Sequence, residues 1–319
     1  MTLRTPVCDL LGIDVPLVCA PFGPWDQVAL AAAVCEAGAL GSLGTALRTP
    51  AELDAQWRRL RERTSRPFAI NHTARPFDEP AFAATLAFRP AVVSFHLGDP
   101  GELVARAHDA GCLWMQQVMD VPQACQAVER GADVIVAQGG EAGGHAGFVS
   151  TMALVPQVVD VAGTVPVLAA GGIADGRGLA AALALGAQGV AMGTRFLASS
   201  EMAIAPAWKR RLVEAASADA VQPDVLELLM PPYNRPHYPA LGRILRTPLS
   251  ERWSARPNEL AEGAERIGQD LVRAVRAGGG EEYVPFAGQS VGLVREILPA
   301  AEIVRRVVDE AERALARLA

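Results

Sequence analysis

The sequence predicts an α/β protein built as a (β/α)8 barrel, or TIM barrel, with a helical capping insertion after the eighth strand. Two observations support this prediction. Eight short apolar runs alternate with helical segments up to about Phe196, and most of these runs are continuously apolar, as in strands covered on both faces. A doubly wound sheet is the alternative, but its G-x-G-x-x-G fingerprint after the first strand is missing.

Each predicted strand is followed by a stretch long enough for one helix. The strands are predicted at residues 17–20, 39–44, 67–71, 91–96, 112–118, 134–138, 165–170 and 189–192. The helices between them are predicted at 28–37, 50–63, 80–88, 101–110, 121–130, 154–162 and 175–185. Gly38 and Gly186 are suitable helix stops, and Asp175 is a suitable N-cap.

The alternation breaks after about Phe196. Residues 199–280 are expected to form a helical and irregular subdomain over the barrel mouth, with helices at 206–216 and 259–277 and an irregular Pro- and aromatic-rich stretch at 231–239. The barrel itself is expected to comprise residues 1–198 and 281–319. Its last part, 293–318, contains one helix, or two separated at Pro299.

Composition excludes several function classes. The net charge of −6 and pI of about 5.5 argue against nucleic-acid or anionic-membrane partners. Five cysteines without a CxxC pair predict buried free thiols and no metal site. The start of the chain lacks the apolar core of a signal peptide, and no apolar run is long enough to span a membrane, so a cytoplasmic location is expected.

One glycine-rich loop organises the predicted site. Five glycines and His145 follow the sixth strand within residues 139–147, where backbone can approach a ligand closely. A surface histidine in a tight turn is the simpler explanation of this pattern. The rest of the chain favours a functional explanation, because it also supplies a phosphate site.

Small residues end the seventh and eighth strands, where barrels commonly bind phosphate. Gly171-Gly172 and Gly193-Thr194 would expose backbone N–H groups there, next to helix N-termini. Polar side chains end other strands at the same face, namely Asn71, His96, Gln117 and Gln138. Amides in such positions suit the polar edge of a heterocycle, whereas for His96 an ordinary loop hydrogen bond is favoured.

These segments together resemble one family. Residues 139–145, 169–176, 192–196 and 287–290 are similar to motifs of the nitronate monooxygenase family, formerly 2-nitropropane dioxygenase, whose superfamily also holds the FMN-dependent enoyl-ACP reductase II. The resemblance implies an FMN-binding barrel with His145 as the catalytic residue. The cofactor-binding residues that it implies are Ala20, Pro21, Phe22, Asn71, Gln117, Gln138, Gly143, Gly144, Gly171, Gly172, Met192, Gly193, Thr194, Gln289 and Ser290.

By the same resemblance, the reaction is oxidation of alkyl nitronates or nitroalkanes with O2 to carbonyl compounds and nitrite. The alternative is an enoyl-thioester or quinone reductase that uses NAD(P)H, for which Arg235, Arg243 and Arg246 in the insertion are candidate phosphate contacts. The partners expected are therefore a small-molecule substrate with O2 or NAD(P)H, and the sequence leaves open whether the chain forms a homodimer.

Two further alternatives come from other classes. Residues 288–292 match G-x-S-x-G, the serine hydrolase elbow, but the last histidine, His237, precedes Ser290, against the usual chain order. A barrel that binds flavin without turnover is the non-enzymatic alternative. The intact His145 and both phosphate loops argue against it.

Overall fold

The computed structural model describes residues 3–73, 77–96, 98–229 and 240–318, and the predicted irregular stretch at 231–239 lies outside them. No helix in this described part is long and apolar enough to cross a membrane. The strands are β1 (Leu17–Cys19), β2 (Gly41–Gly44), β3 (Phe68–Thr73), β4 (Val92–His96), β5 (Leu113–Val118), β6 (Val134–Gln138), β7 (Gly144–Ala146), β8 (Val167–Ala170), β9 (Gly189–Met192), β10 (Ala220–Val221) and β11 (Leu241–Leu245).

Eight parallel strands form the barrel, as the sequence predicts. Their order is β1-β9-β8-β6-β5-β4-β3-β2, and a parallel bridge between Val18 and Leu40 joins the two ends of the sheet. This bridge is the pairing between the first two strands of the chain, and it lies just before β2, which begins at Gly41. A Cβ on Gly41 would lie 2.4 Å from the Ala31 carbonyl oxygen, so the glycine lets helix and strand approach closely.

Helices cover the barrel between the strands and after them. They are α1 (Pro6–Leu11), α2 (Val28–Glu36), α3 (Pro50–Arg61), α4 (Glu79–Phe88), α5 (Leu103–Asp109), α6 (Val121–Glu129), α7 (Thr151–Ala162), α8 (Gly176–Ala184), α9 (Thr194–Leu197), α10 (Pro206–Glu214), α11 (Pro248–Ala255), α12 (Pro257–Arg276) and α13 (Ala300–Ala316). Asp175 caps α8, as predicted, by accepting hydrogen bonds from the N–H groups of Arg177 and Gly178. α13 begins directly after Pro299, so the final segment holds one α-helix preceded by a 3-10 turn.

The core has separate parts inside and outside the barrel. Inside, apolar residues from the strands pack against α1, a helix that the sequence analysis did not predict. Val7, Leu11 and Ile13 belong to this inner cluster and are at most 3% exposed. The helix that the sequence analysis missed is short. Its sequence signals are a proline in the first turn and Gly12 directly after its end, where the structure has the left-handed conformation.

The insertion differs from the expected helical cap. The predicted helices are present as α10 and α12, but the segment also contains α11 and two strands that the sequence analysis did not predict. β11 pairs antiparallel with both β10 and β7, and so joins the insertion to the loop after β6. The glycine-rich loop is therefore partly strand, because its backbone hydrogen-bonds to a segment about 100 residues away.

Candidate active site

The ends of β1 and β9 meet at the mouth of the barrel. The N–H of Ala20 donates to the carbonyl oxygen of Met192 over 2.9 Å. A Cβ on Gly193 would lie 3.7 Å from both Ala20 Cβ and a ring carbon of Phe22. The loop after β1 is held by Gln27, whose side chain accepts from the Phe22 N–H over 2.7 Å. The structure thus brings the predicted residues of the first and eighth strand ends together.

Gly171 and Gly172 turn the chain away at the end of β8. Their φ angles are +96° and +73°, which favour glycine. A Cβ on Gly171 would lie 2.8 Å from the carbonyl oxygen of Gly139, so the β6 and β8 ends approach each other closely. The nearest atom to a Cβ on Gly172 would be Glu141 Cβ, at 3.6 Å, so the glycine corner lies against the side chain of Glu141.

The C-terminal motif reaches the same corner. Thr194 accepts a hydrogen bond from the Gly288 N–H over 2.8 Å, and the N–H of Gln289 donates to the Glu141 carbonyl oxygen over 2.8 Å. A Cβ on Gly143 would lie 2.6 Å from backbone atoms of residues 287 and 288. The C-terminal motif therefore contacts both the loop after β6 and the end of β9. Ser290 is buried in the 3-10 turn that follows.

Three amide side chains lie at neighbouring strand ends. Asn71 donates to the Ser94 hydroxyl over 2.9 Å, and Gln117 donates to the side-chain oxygen of Gln138 over 2.9 Å. These bonds fix the orientation of each amide. The predicted loop hydrogen bond of His96 is present, because its Nδ1 lies 3.1 Å from the His72 carbonyl oxygen.

His145 lies in β7, opposite Gly242 of β11. Its neighbour Gly144 has φ +71°, which favours glycine, and a Cβ there would meet no atom within 4 Å other than those of its chain neighbours. The ring centroid of Phe286 lies 6.1 Å from that of His145. The strand pairing therefore sets the position of His145, which the sequence analysis places in a glycine-rich loop without predicting a strand.

Arg243 holds this loop from the insertion. Its guanidinium donates to the Gly140 carbonyl oxygen at 2.7 and 3.2 Å, to the Ala220 carbonyl oxygen at 3.0 Å and to the Gln222 side chain at 2.7 Å. The side chain is 8% exposed. Four of its five N–H donors are thus used within the fold, which argues against a contact between Arg243 and a nucleotide phosphate. Arg246 is about half exposed, and Arg235 lies outside the described residues.

Burial keeps the histidines of this end of the barrel neutral. It lowers the pKa of His145 to about 3, with a smaller contribution from His96. It also lowers the pKa values of His72 and His96 to about 4. At neutral pH the His145 imidazole is therefore uncharged, so it can donate one hydrogen bond and accept another, but it provides no positive charge.

Comparison with known proteins identifies the family. The nitronate monooxygenase family model matches residues 4–87 and 73–310. The chain belongs to the nitronate monooxygenase family. It is 32% identical to a nitronate monooxygenase of Paraburkholderia phytofirmans over 99% of this chain and 98% of the relative. Membership in this family makes the chain an oxidoreductase.

Other family relatives carry different names. The chain is 40% identical to (3aS,4S,5R,7aS)-5-hydroxy-7a-methyl-1-oxo-octahydro-1H-indene-4-carboxyl-CoA dehydrogenase of Mycobacterium tuberculosis, over 79% of this chain and 69% of the relative. The structure of FabK from Thermotoga maritima matches with a TM-score of 0.89 and 34% identity, covering 99% of both chains. The chain is thus similar in sequence and fold to proteins that do not share one name.

Two further features of this nitronate monooxygenase family member bear on the sequence analysis, of which the first agrees with it and the second corrects it. Ser290 lies in a 3-10 turn and is 5% exposed, so the serine of the G-x-S-x-G match is not on a strand-to-helix elbow. Four of the five free cysteines are buried, but Cys125 is exposed on α6, against the expectation of buried thiols.

Sequence reasoning missed two residues that support the site, Gln27 and Thr151, and gave Arg243 a different role. Thr151 donates from its N–H and its hydroxyl to the Glu141 carboxylate over 2.8 Å each, and from the hydroxyl to the Gly171 carbonyl oxygen over 3.0 Å. No local sequence signal identifies them, because each acts through a contact that depends on the closed barrel.

Proposed function

We propose that this protein oxidises alkyl nitronates with O2 to carbonyl compounds and nitrite, and that it uses FMN to do so. The observation that carries the proposal is a buried, neutral histidine, His145, in the strand β7 at a barrel mouth whose other wall consists of glycines. The full-length match to a nitronate monooxygenase supports it.

The residues at the mouth fit FMN. Gly171 and Gly172 leave no side chain at the end of β8, and Gly193 leaves none at the end of β9, so a phosphate could approach the backbone there. The Thr194 hydroxyl accepts from Gly288 and keeps its own proton to donate. We assign the remaining predicted contacts to the flavin as well. They are Ala20, Pro21, Phe22, Asn71, Gln117, Gln138, Gly143, Gly144, Met192, Gln289 and Ser290.

The side chains have separate tasks. FMN, when bound, supplies electron acceptance and the reaction with O2. The mutual hydrogen bond of Gln117 and Gln138 holds two uncharged amides in fixed orientation for the ring edge. The N–H of His145 donates to an oxygen of the nitronate and orients it.

The environment of His145 favours nitronates over neutral nitroalkanes. A nitroalkane must lose a carbon-bound proton to a base, and a histidine whose pKa is about 3 is a weak one. A nitronate has already lost that proton and needs only hydrogen bonding and orientation. We therefore expect faster turnover with preformed nitronates than with nitroalkanes at the same pH.

An anaerobic visible spectrum of the purified protein tests the proposal. Flavin bands should be present, or should appear after reconstitution with FMN, and should not bleach rapidly with NADH or NADPH. Anaerobic addition of an alkyl nitronate should then change the spectrum, and O2 should restore it while nitrite forms. Protein without flavin bands after reconstitution would overturn the proposal.

The second candidate is an NAD(P)H-dependent enoyl-thioester or quinone reductase. The similarity to FabK and to a CoA-thioester dehydrogenase favours it. Rapid bleaching by a nicotinamide in the same experiment would select this candidate, and enoyl thioesters and quinones would then be the substrates to add. Because Arg243 uses four of its five N–H donors within the fold, we expect other groups to bind the nucleotide phosphate in this candidate.

A further inference from the structure

A cavity lies outside the proposed flavin site. It has a volume of about 430 Å³ and is formed by the beginning of α8, by Arg195 of α9, by residues 293–298 and by α13. None of the residues assigned to the flavin lines it. Its volume is within the usual range of small-molecule sites.

Arginines dominate the lining of this cavity. Six arginines and three carboxylates line it, in a chain whose net charge is −6. Each carboxylate already has a partner. Asp175 pairs with Arg177, Glu296 pairs with Arg306 at 2.7 Å, and Glu310 accepts from the Gly176 N–H over 3.1 Å.

The remaining arginines have no such partners. Within the described part of the chain, no carboxylate lies within ion-pair distance of these four: Arg195, Arg295, Arg313 and Arg317. Because six arginines face three carboxylates, the cavity carries an excess of positive charge. An anion is the ligand that this charge would attract.

Arg195 is the buried member of this group. It is 7% exposed, and its Nη1 donates to the Glu296 carbonyl oxygen over 2.9 Å. Its Nη2 is buried and forms no hydrogen bond with any described residue. Burial lowers the pKa of the guanidinium, yet arginine stays charged at neutral pH. A buried charged donor without an acceptor is costly, and an oxyanion in the cavity would relieve that cost.

The rest of the wall is apolar. Leu293, Leu298, Ile303, Val307 and Ala314 line it, and Leu293 is 41% exposed. An inorganic ion would leave this surface wet. A molecule with a flat or apolar body attached to its anionic group would cover it.

We propose that this cavity binds a phosphorylated small molecule of nucleotide size, with its phosphate on Arg195 and the rim arginines and its body against Leu293 and the α13 side chains. Guanidinium groups bind phosphate through paired N–H donors, which fits Arg195 and the rim. The site is separate from the proposed flavin site, so its occupancy does not depend on the proposed reaction.

Calorimetric titration of the FMN-saturated full chain tests this site. The protein is loaded with FMN and then freed of unbound FMN, so that the probes cannot enter the flavin phosphate site and free FMN does not compete with them at the cavity. Adenosine 5′-monophosphate is one probe and inorganic phosphate is the other. We expect saturable binding of the monophosphate, with affinity that falls as salt rises.

Variants locate the binding. The double variant R313Q/R317Q removes two exposed rim charges, and R195Q removes the buried donor. Each should weaken binding by about tenfold or more, because charge-assisted hydrogen bonds are lost. R63Q is the matched control, since Arg63 is exposed after α3 and does not line the cavity, and it should bind as the parent does. Thermal unfolding midpoints verify that R195Q is folded.

The outcomes separate two sources of the phosphate. Tighter binding of adenosine 5′-monophosphate supports a nucleotide-like ligand, and equal binding of both probes supports the anion site with free phosphate as its ligand. The proposal is overturned if neither probe binds saturably at about millimolar concentration, the weak end of useful affinity. The proposal would also be overturned if R313Q/R317Q and R195Q bound the probes as the parent does. The test measures binding and not turnover.

Discussion

The two walls of the barrel mouth are built in different ways. The glycine wall consists of Gly171, Gly172 and Gly193, which directly follow their own strands. The histidine wall consists of the loop after β6, whose position depends on β11 and on Arg243 in the insertion. The barrel alone forms the glycine wall, where we propose that phosphate binds. The position of His145, in contrast, depends on a segment about 100 residues later in the chain.

Replacing His145 has the largest expected effect and acts on one wall only. H145A should keep FMN and lose turnover with nitronates by about a hundredfold to ten-thousandfold, the range for one positioned catalytic group. Visible spectra measure FMN content, and nitrite release measures turnover. H108A is the control, because His108 is partly exposed on α5. Unchanged turnover in H145A would remove the imidazole from the mechanism.

A negative charge on the glycine wall should instead lower the affinity for FMN. G193D places a carboxylate where the phosphate is proposed to bind, and we expect FMN affinity to fall by about a hundredfold or more through like-charge repulsion. Fluorescence titration of the apoprotein with FMN measures this. G193A tests for steric effects, since its methyl has room at 3.7 Å, and G268D places the same charge in α12. G193D protein that purifies fully yellow would contradict the placement.

Removing Arg243 tests whether the two walls are independent. R243M leaves the Gly140 and Ala220 carbonyl oxygens without their donor, so we expect the free energy of unfolding to fall by about 2–4 kcal/mol and turnover to fall with it. FMN content should stay high because the glycine wall does not use this side chain. R246M is the matched control on an exposed arginine. Loss of FMN comparable to that of G193D would contradict the independence of the two walls.

Acid should weaken the folded state through the buried histidines. Burial lowers the pKa values of His72 and His96 to about 4 and that of His145 to about 3, so the unfolded chain binds more protons below about pH 6.5. The stability they confer is complete above that pH and is lost as pH falls. Each contributes up to about 1.4 kcal/mol per pH unit.

Urea unfolding at about pH 7, 6 and 5 measures this slope, because most carboxylates stay ionised over that range. The variant H72Q should show a shallower dependence than the parent. A free energy of unfolding that does not change between these pH values would contradict the assignment of the histidines as buried and neutral.

Much of the fold follows from local sequence patterns. The eight barrel strands are short apolar runs whose positions depend on neighbouring residues, and the structure confirms them within about three residues at most ends. The N-cap role of Asp175 is likewise local. Gly171, Gly172 and Gly193 lie at strand ends for the same reason, although their role toward FMN stays a prediction.

Long-range pairing explains what the sequence did not reveal. β7 has only three residues and contains a glycine, so it has no strand signal of its own and forms because β11 provides the partner. Arg243 looked like a free cation because nothing nearby in the sequence shows that Gly140, Ala220 and Gln222 surround it. The cavity at Arg195 also joins segments that are about 100 residues apart.

The pairing of β7 with β11 has an evolutionary consequence. His145 and Gly242 share one ladder, so the loop and the insertion form a single inheritable unit even though they are far apart in the gene. Recombination that exchanged residues 139–147 with a relative, and left residues 240–246 behind, would separate a strand from its partner. New specificities in this lineage should therefore arise by coordinated drift of both segments, and engineered chimeras should transplant them together.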